Sequence, residues 1–381
     1  MKAFHRKGTT LGAACWLFIF WTASGALAQD AARWSAEKAN AWQTETGWLV
    51  GCNFIPSTAI NELEMWQADT FDPPTIDREL GWAEGIGFNS VRVFLHNLPW
   101  QQDSAGFLNR IEQFLQVADK HHIRPMFVIF DSCWDPNPKL GPQHPPVPFR
   151  HNSGWVQAPG NEYTDHPERL QELKPYVEGV IGHFRADRRI AFWDLYNEPD
   201  NINENSYNKQ ETARKRSTTL ELLRATYRWA REANPSQPVS SGVWKGNWPD
   251  PDKLSDFEQV QLGQSDIVTF HCYANLEETR RCVDHLRHWG RPIVCTEYMA
   301  RPAGSTFDPI LGYFKEQHVG AYNWGFVSGK TQTIFPWDSW TKKYTAEPPV
   351  WFHDIFHSNG LPYRQAEVNY IRKLTLGTAP H

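Results

Sequence analysis

Short apolar runs alternate along this chain with longer stretches in which apolar residues recur every three to four positions. The runs at residues 48–53, 89–95, 123–130, 190–196, 238–243, 266–271, 292–297 and 320–324 have strand length and strand composition. The stretches at 76–85, 107–121, 167–184, 218–233, 254–262, 276–289, 310–317 and 368–374 have the spacing of amphipathic helices. Residues 31–46 read as one further helix leading into the first strand. Eight strands, each followed by a helix, predict an α/β fold of the closed (β/α)8 type, the TIM barrel. An open doubly wound sheet would show a Gly-rich phosphate loop after its first strand. None follows Cys52-Asn53. No internal repeat or low-complexity linker divides the chain, so one domain is expected.

Three connections are long: 131–165, 200–212 and 328–351. All follow strand C-termini, the face on which barrels of this kind build their sites. The first carries Trp134 and Trp155, the third Trp337, Trp340 and Trp351. Long loops rich in aromatic residues are expected to be functional rather than slack.

The N-terminus reads differently. Lys2, Arg6 and Lys7 precede an apolar stretch over 11–20, and Ala26-Leu27-Ala28 stands before Gln29. That is the pattern of a secretory signal peptide, with cleavage expected after Ala28. The apolar core is too short for a comfortable membrane span, which takes about 20 residues. Residues 1–28 are thus expected to be a leader and 29–381 the barrel domain. The mature chain is expected to be exported, periplasmic or secreted, monomeric, and not held by a membrane.

Net charge is −5 with both signs interspersed. Nucleic acid and anionic membranes require a basic face, so neither is an expected partner. The 19 Trp residues shift the picture toward sugars, because indole faces cover the apolar C–H faces of sugar rings. Beyond the leader lie Cys52, Cys133, Cys272, Cys282 and Cys295, an odd number without zinc-like spacing. Export permits a disulfide, and Cys272 with Cys282 is the pair to test.

Two carboxylates end two of the strands. Trp193-Asp-Leu-Tyr-Asn-Glu198-Pro199 closes the fourth and Ile293-Val-Cys-Thr-Glu297 the seventh. In a closed barrel both ends face one cleft. Hydrolysis of a glycosidic bond requires such a pair, one protonated to help the leaving oxygen and one ionised to attack the anomeric carbon. Their repulsion helps to keep the acid protonated. A lone strand-end Glu is more often an ion-pair partner. The strand order and the second Glu weigh against that here.

With these elements the chain resembles glycoside hydrolase family 5 and the wider clan A of retaining β-glycosidases, over nearly all of the mature chain. The resemblance rests on Arg92 in Val91-Arg92-Val93, on Asn197-Glu198-Pro199, on His271-Cys272-Tyr273, on Thr296-Glu297 and on Trp324, in that order. It implies Glu198 as general acid/base and Glu297 as nucleophile. Arg92 and Tyr273 would hold Glu297 ionised, His271 would lie near Glu198, Asn197 would donate to the sugar 2-hydroxyl, and Trp324 would floor the sugar being cleaved. The chain departs from the family at strand three, where Phe130-Asp131-Ser132-Cys133-Trp134 lacks the histidine many members carry. The run Gly329-Lys330-Thr331-Gln332-Thr333 is not a general clan feature either.

Asn53, Asp131 and Trp134 follow strands one and three and are candidates for the cleft mouth, Asp131 as a sugar ligand or merely a loop cap. Trp337, Trp340, Lys330 and Gln332 are candidates from the loop after strand eight. No cofactor is expected. Cys282, His285 and His288 share one helical stripe, a zinc arrangement in principle but more simply a helix face. The expected substrate is a β-linked oligo- or polysaccharide. A transglycosylase would share every catalytic residue, and a glycan-binding barrel would need neither glutamate. A metal-dependent hydrolase would need ligands at several strand ends, where only His271 is so placed. Long loops after strands three, four and eight lean toward a pocket and short or chain-end substrates.

Overall fold

The computed structural model describes residues 1–3, 32–245 and 248–377. The leader expected at 1–28 lies outside these residues, apart from its first three. Eight strands form the interior: β1 (Val50–Asn53), β2 (Ser90–Phe94), β3 (Arg124–Val128), β4 (Trp193–Asp194), β5 (Val239–Ser240), β6 (Val268–His271), β7 (Ile293–Tyr298) and β8 (Gly320–Asn323). Every pairing is parallel, in the order β5-β4-β3-β2-β1-β8-β7-β6. The ring closes just beyond β5. Val243 bridges Phe270, donating its N–H to Thr269 O and accepting from His271 N, each at 3.0 Å. The expected (β/α)8 barrel is the fold observed.

Helices at each expected position wrap the barrel, their ends set by local chemistry. Ser255 and Glu258 form a reciprocal capping box at the helix Asp256–Gln264, and Asn275 caps Leu276–Leu286. Two expected helices are divided. Residues Pro167–Leu173 wind as a 3-10 turn before the α-helix Lys174–His183 begins, with Pro175 in its first turn, where the missing N–H costs nothing. The stretch 276–289 tightens into a 3-10 turn at Arg287–Trp289 and stops at Gly290, whose φ of +59° only glycine adopts freely.

β4 and β5 are much shorter than the apolar runs that predict them. Past Asp194 the chain keeps Leu195 N to Ser240 O and one isolated bridge to the run after β3, in which Asn197 N donates to Phe130 O and Ser132 N to Asn197 O. That departure turns Asn197 and Glu198 out of the ladder and toward the barrel axis. Most of the core lies between strands and helices. A second cluster of Met126, Phe192, Ile267, Val294 and Tyr322 fills the N-terminal end, capped by the helix Ala36–Thr46, whose Trp42 meets Phe192 edge-on. The end opposite is polar, and there the candidate site lies.

Candidate active site

Arg92 lies at the centre of the polar end, fully buried. A guanidinium has five N–H donors, and all five are used. Nε and Nη2 donate to Asp194 Oδ2 (3.0 and 2.7 Å), Nη2 also to Asn197 Oδ1 (2.7 Å), and Nη1 to Asn53 Oδ1 (2.9 Å) and Glu297 Oε1 (2.6 Å). A buried charge is tolerable only when paired and hydrogen-bonded in this way. One cation on β2 thereby fixes side chains from β1, from β4 and the residues just after it, and from β7.

Glu297 sits on a β-bulge: the register shifts between Phe270 and His271 on one side and between Cys295 and Tyr298 on the other. Bulges beside barrel rims re-aim side chains, and this one directs Glu297 inward. Its Oε2 accepts from Tyr273 Oη at 2.7 Å. Burial raises its carboxyl above the ordinary range, while His271, Arg92 and Tyr273 oppose that rise and Glu198 adds to it.

Glu198 has a φ of +42°, left-handed backbone that costs a non-glycine residue about 1–3 kcal/mol. Its Oε2 accepts from Asn201 Nδ2 at 2.7 Å and from the Cys133 thiol at 3.4 Å. Among the described residues no cation touches it directly. Burial raises its carboxyl too, against the pull of Asn201 and Cys133. His271 Nδ1 lies 2.9 Å from Glu198 Oε1 and 3.5 Å from Glu297 Oε2. Burial drives this imidazole down to about 4, so it is neutral near pH 7. One atom from each of Glu198, His271 and Glu297 lies within 4.8 Å of the other two, the one converging set of metal-type ligands among the described residues. Arg92 already supplies positive charge to Glu297 there, which disfavours a second cation. Cys282, His285 and His288 do not converge, and the five described cysteines, Cys272 and Cys282 among them, are free thiols.

A cleft of about 350 Å³ opens above the two glutamates, bordered by Asn197, Tyr273, Trp324, Trp134 and Trp337 among others. Trp324 is half-buried and packs edge-on against Phe94 and Trp155. Gly325 follows at φ +77°, where a Cβ would meet Asp354 Oδ1 at 2.5 Å, so only glycine lets the chain turn there and leave the indole in the cleft. Trp134 stacks on Trp340 at 5.7 Å, and Trp337 meets Tyr273 edge-on at 4.9 Å.

Four expected ligands lie elsewhere. Asn53 is held below the cleft by Arg92 and by the carbonyls of Thr296 and Asn323. Asp131 is 1 % exposed, its oxygens taken by Asn197 Nδ2, Cys133 N and Trp155 Nε1. It therefore orients Asn197 and the loop after β3, and burial pushes its carboxyl up to about 6. Lys330 and Gln332 do not border the cleft. Lys330 N donates to Ser57 O and its Nζ pairs with Glu64, while Gln332 bonds Phe149 N, Val147 O and Arg150 O. With Asn152 N on Thr331 O and Asn61 Nδ2 on Gly154 O, they clamp together the loops after β1, β3 and β8. Asp194, Cys133, Asn201, His151 and Trp244 belong to the site without having been singled out from sequence. Only Asp194 had a signal there, a charge within a strand facing the same interior as Arg92.

No protein-family model matches the sequence, and no curated protein is significantly similar to it. Solved structures do share the fold. A GH5_18 protein from Streptomyces cattleya, in complex with GlcNAc, superposes with a TM-score of 0.58 at 12 % identity, over 88 % of this chain and 82 % of that one. The exo-β-1,4-mannosidase Op5Man5 from Opitutaceae bacterium strain TAV5 gives 0.56 at 17 %, over 87 % of this chain and 59 % of that one. The endo-β-1,4-mannanase from Thermotoga petrophila gives 0.54 at 13 %, over 88 % and 77 %. At such identities the likeness is one of fold: the chain has the barrel of these glycoside hydrolases.

Proposed function

We propose that this protein is a retaining β-glycoside hydrolase, with Glu297 as nucleophile and Glu198 as general acid/base. The observation that carries the reading is the approach of the two carboxyls, whose oxygens come within 4.8 Å across the cleft. Retaining enzymes hold their carboxyls about 5–5.5 Å apart, whereas inverting ones leave about 6.5–9.5 Å for a water. The partners divide the roles. Glu297 has a guanidinium and a phenol donating to it, which favours the anion. Glu198 has neutral partners and a buried setting, which favours the acid.

Glu297 attacks the anomeric carbon as the bond to the leaving oxygen breaks, and Glu198 gives that oxygen its proton. A glycosyl ester on Glu297 results. Water then enters, Glu198 takes one of its protons, the hydroxyl attacks the same carbon, and Glu297 is released. Asn197 Oδ1 is taken by Arg92 and one Nδ2 hydrogen by Asp131, so its second Nδ2 hydrogen, which meets only the weakly accepting Cys133 sulfur at 3.9 Å, is left for a sugar hydroxyl. Trp324 supplies the apolar floor.

Neighbours of the fold named for β-mannan or β-mannoside cleavage put β-mannosides first among the substrates to try. Wild type and Glu297→Gln are incubated with β-mannans, β-glucans, xylans and their oligosaccharides, and products are followed by proton NMR at early times. Release of β-anomers by wild type and none by the variant is expected. Release of α-anomers would overturn the mechanism. Export is part of this reading, resting on the leader pattern ending at Ala28. Mature protein beginning at Gln29 is its expected mass-spectrometric signature.

A further inference from the structure

Two sets of loops border the cleft. Glu198, as proton donor, faces the leaving group, and the residues beyond it, 201–205 and Trp244, come from the loops after β4 and β5. The sugar being cleaved therefore lies over Trp324, on the half of the rim carried by β8, β1, β2 and β3. On that half the three loops clamped through Lys330, Gln332 and Asn61 stand together as a wall. The cleft's 350 Å³ lies at the small end of ligand pockets, which run to about 1,000 Å³.

His151 is built into this wall and borders the cleft at 1 % exposure. Its Nδ1 lies 2.8 Å from Phe335 O. A carbonyl only accepts, so Nδ1 carries the hydrogen and Nε2 is left with its lone pair. Among the described residues none hydrogen-bonds to that Nε2. Burial pushes the imidazole down to about 4, which keeps it neutral. The backbone N–H of His151 is held by Ser339 Oγ at 3.0 Å, and the ring packs edge-on between Trp134 and Trp337, both of which border the cleft. An acceptor locked in place with no protein donor fits a ligand hydroxyl.

We propose that the enzyme acts at chain ends: the walled half of the cleft seats the non-reducing terminal sugar, and His151 Nε2 accepts a hydrogen bond from one of its hydroxyls. This rests on the glycosidase reading above and adds to it a direction of attack and a specificity-determining residue.

The test uses oligosaccharides of the cleaved linkage, reduced at one end to the alditol so that the two ends are distinguishable, beside the parent polymer. Wild type is expected to release free monosaccharide and an alditol one unit shorter from the first time points. It should leave polymer viscosity unchanged and spare oligosaccharides capped at the non-reducing end by a 4,6-O-ethylidene group. Mixed internal fragments with a rapid fall in viscosity would overturn chain-end action while leaving the glycosidase reading intact. Wild type inert on every substrate would overturn both. His151→Asn keeps an N–H in place of Nδ1 and deletes the Nε2 acceptor. Its kcat/KM on the uncapped oligosaccharide should fall at least about tenfold, mainly through KM, with an unchanged unfolding midpoint. A wild-type kcat/KM, or a fall matched by a lower midpoint, would overturn the assignment of His151.

Discussion

Arg92 and Asp194 form an ion pair from which water is wholly excluded: Nη2 lies 2.7 Å from Oδ2, and neither side chain has exposed surface. Removing Asp194 takes the buried acceptor from Nε and Nη2, and although Glu297 still balances the charge of Arg92, breaking such a pair from one side costs about 3–5 kcal/mol. Asp194→Ala should therefore lower the free energy of unfolding by about that amount in urea titration. Asp194→Asn, which keeps one acceptor, should lose less. A loss under about 1 kcal/mol for Asp194→Ala would show that Arg92 finds solvent or another anion.

Glu198 must be protonated to act as acid, so its pKa sets the alkaline limb of kcat/KM. Asn201 donates to Oε2 and favours the anion. Removing that donor in Asn201→Ala raises the Glu198 pKa further and should move the alkaline limb to higher pH. A limb that stays put or moves down would detach Asn201 from the acid.

Glu297 works as the anion, so its pKa sets the acid limb. Tyr273→Phe removes the 2.7 Å hydrogen bond to Oε2, one of the groups opposing the rise caused by burial. The acid limb should move to higher pH, and kcat should fall about 10- to 100-fold, the worth of a hydrogen bond to a charged group. An unchanged pH profile would separate Tyr273 from the nucleophile.

Asp354 gives a pH dependence of stability. It is fully buried and burial pushes it up to about 6 from an unfolded value of 3.8, against the Thr333 hydroxyl and the charge of Arg301. The folded state binds this proton more tightly, so the contribution is whole below the unfolded value and is lost as pH rises through about 6. Asp354→Asn mimics the neutral acid. It should gain on wild type in thermal unfolding at pH 7.5 relative to pH 4.5. The same difference at both values would place the charged form on a partner.

The barrel was legible in sequence because each strand and helix announces itself by period; Glu198 and Glu297 were legible because they end strands, and Arg92 and Tyr273 through the resemblance to glycoside hydrolase family 5. The loops were not. His151 meets Phe335 O, and Gln332 meets Val147 O, each across more than 180 residues of chain. No local pattern encodes such pairings, so Lys330 and Gln332 read as ligands when they are clamps, and His151 passed unnoticed. Asp131, read as either a sugar ligand or a loop cap, proves to be the second: its strand-end position is right, but it caps Cys133 N, and Trp155, 24 residues on, folds back to cover it. The shortness of β4 was hidden because the apolar residues 190–196 are buried whether or not they pair.

The closure at Val243 bears on how the molecule comes apart. Around the rest of the ring each strand is held to its neighbour by a ladder, whereas β5 and β6 meet without one, through the bridge beyond the end of β5, the bond from Asp266 N to Val239 O and the side chain of Ser240. A continuous ring has no preferred place to open; this one has a seam. Local opening draws on the least-supported backbone hydrogen bonds. In deuterium exchange under native conditions, the amides of Val243 and His271 should therefore lose protection before those of β2 and β3. The chain would unroll from the seam with both halves of the barrel still sheeted, and the neighbourhood of His271 would be the first part of the catalytic face to loosen.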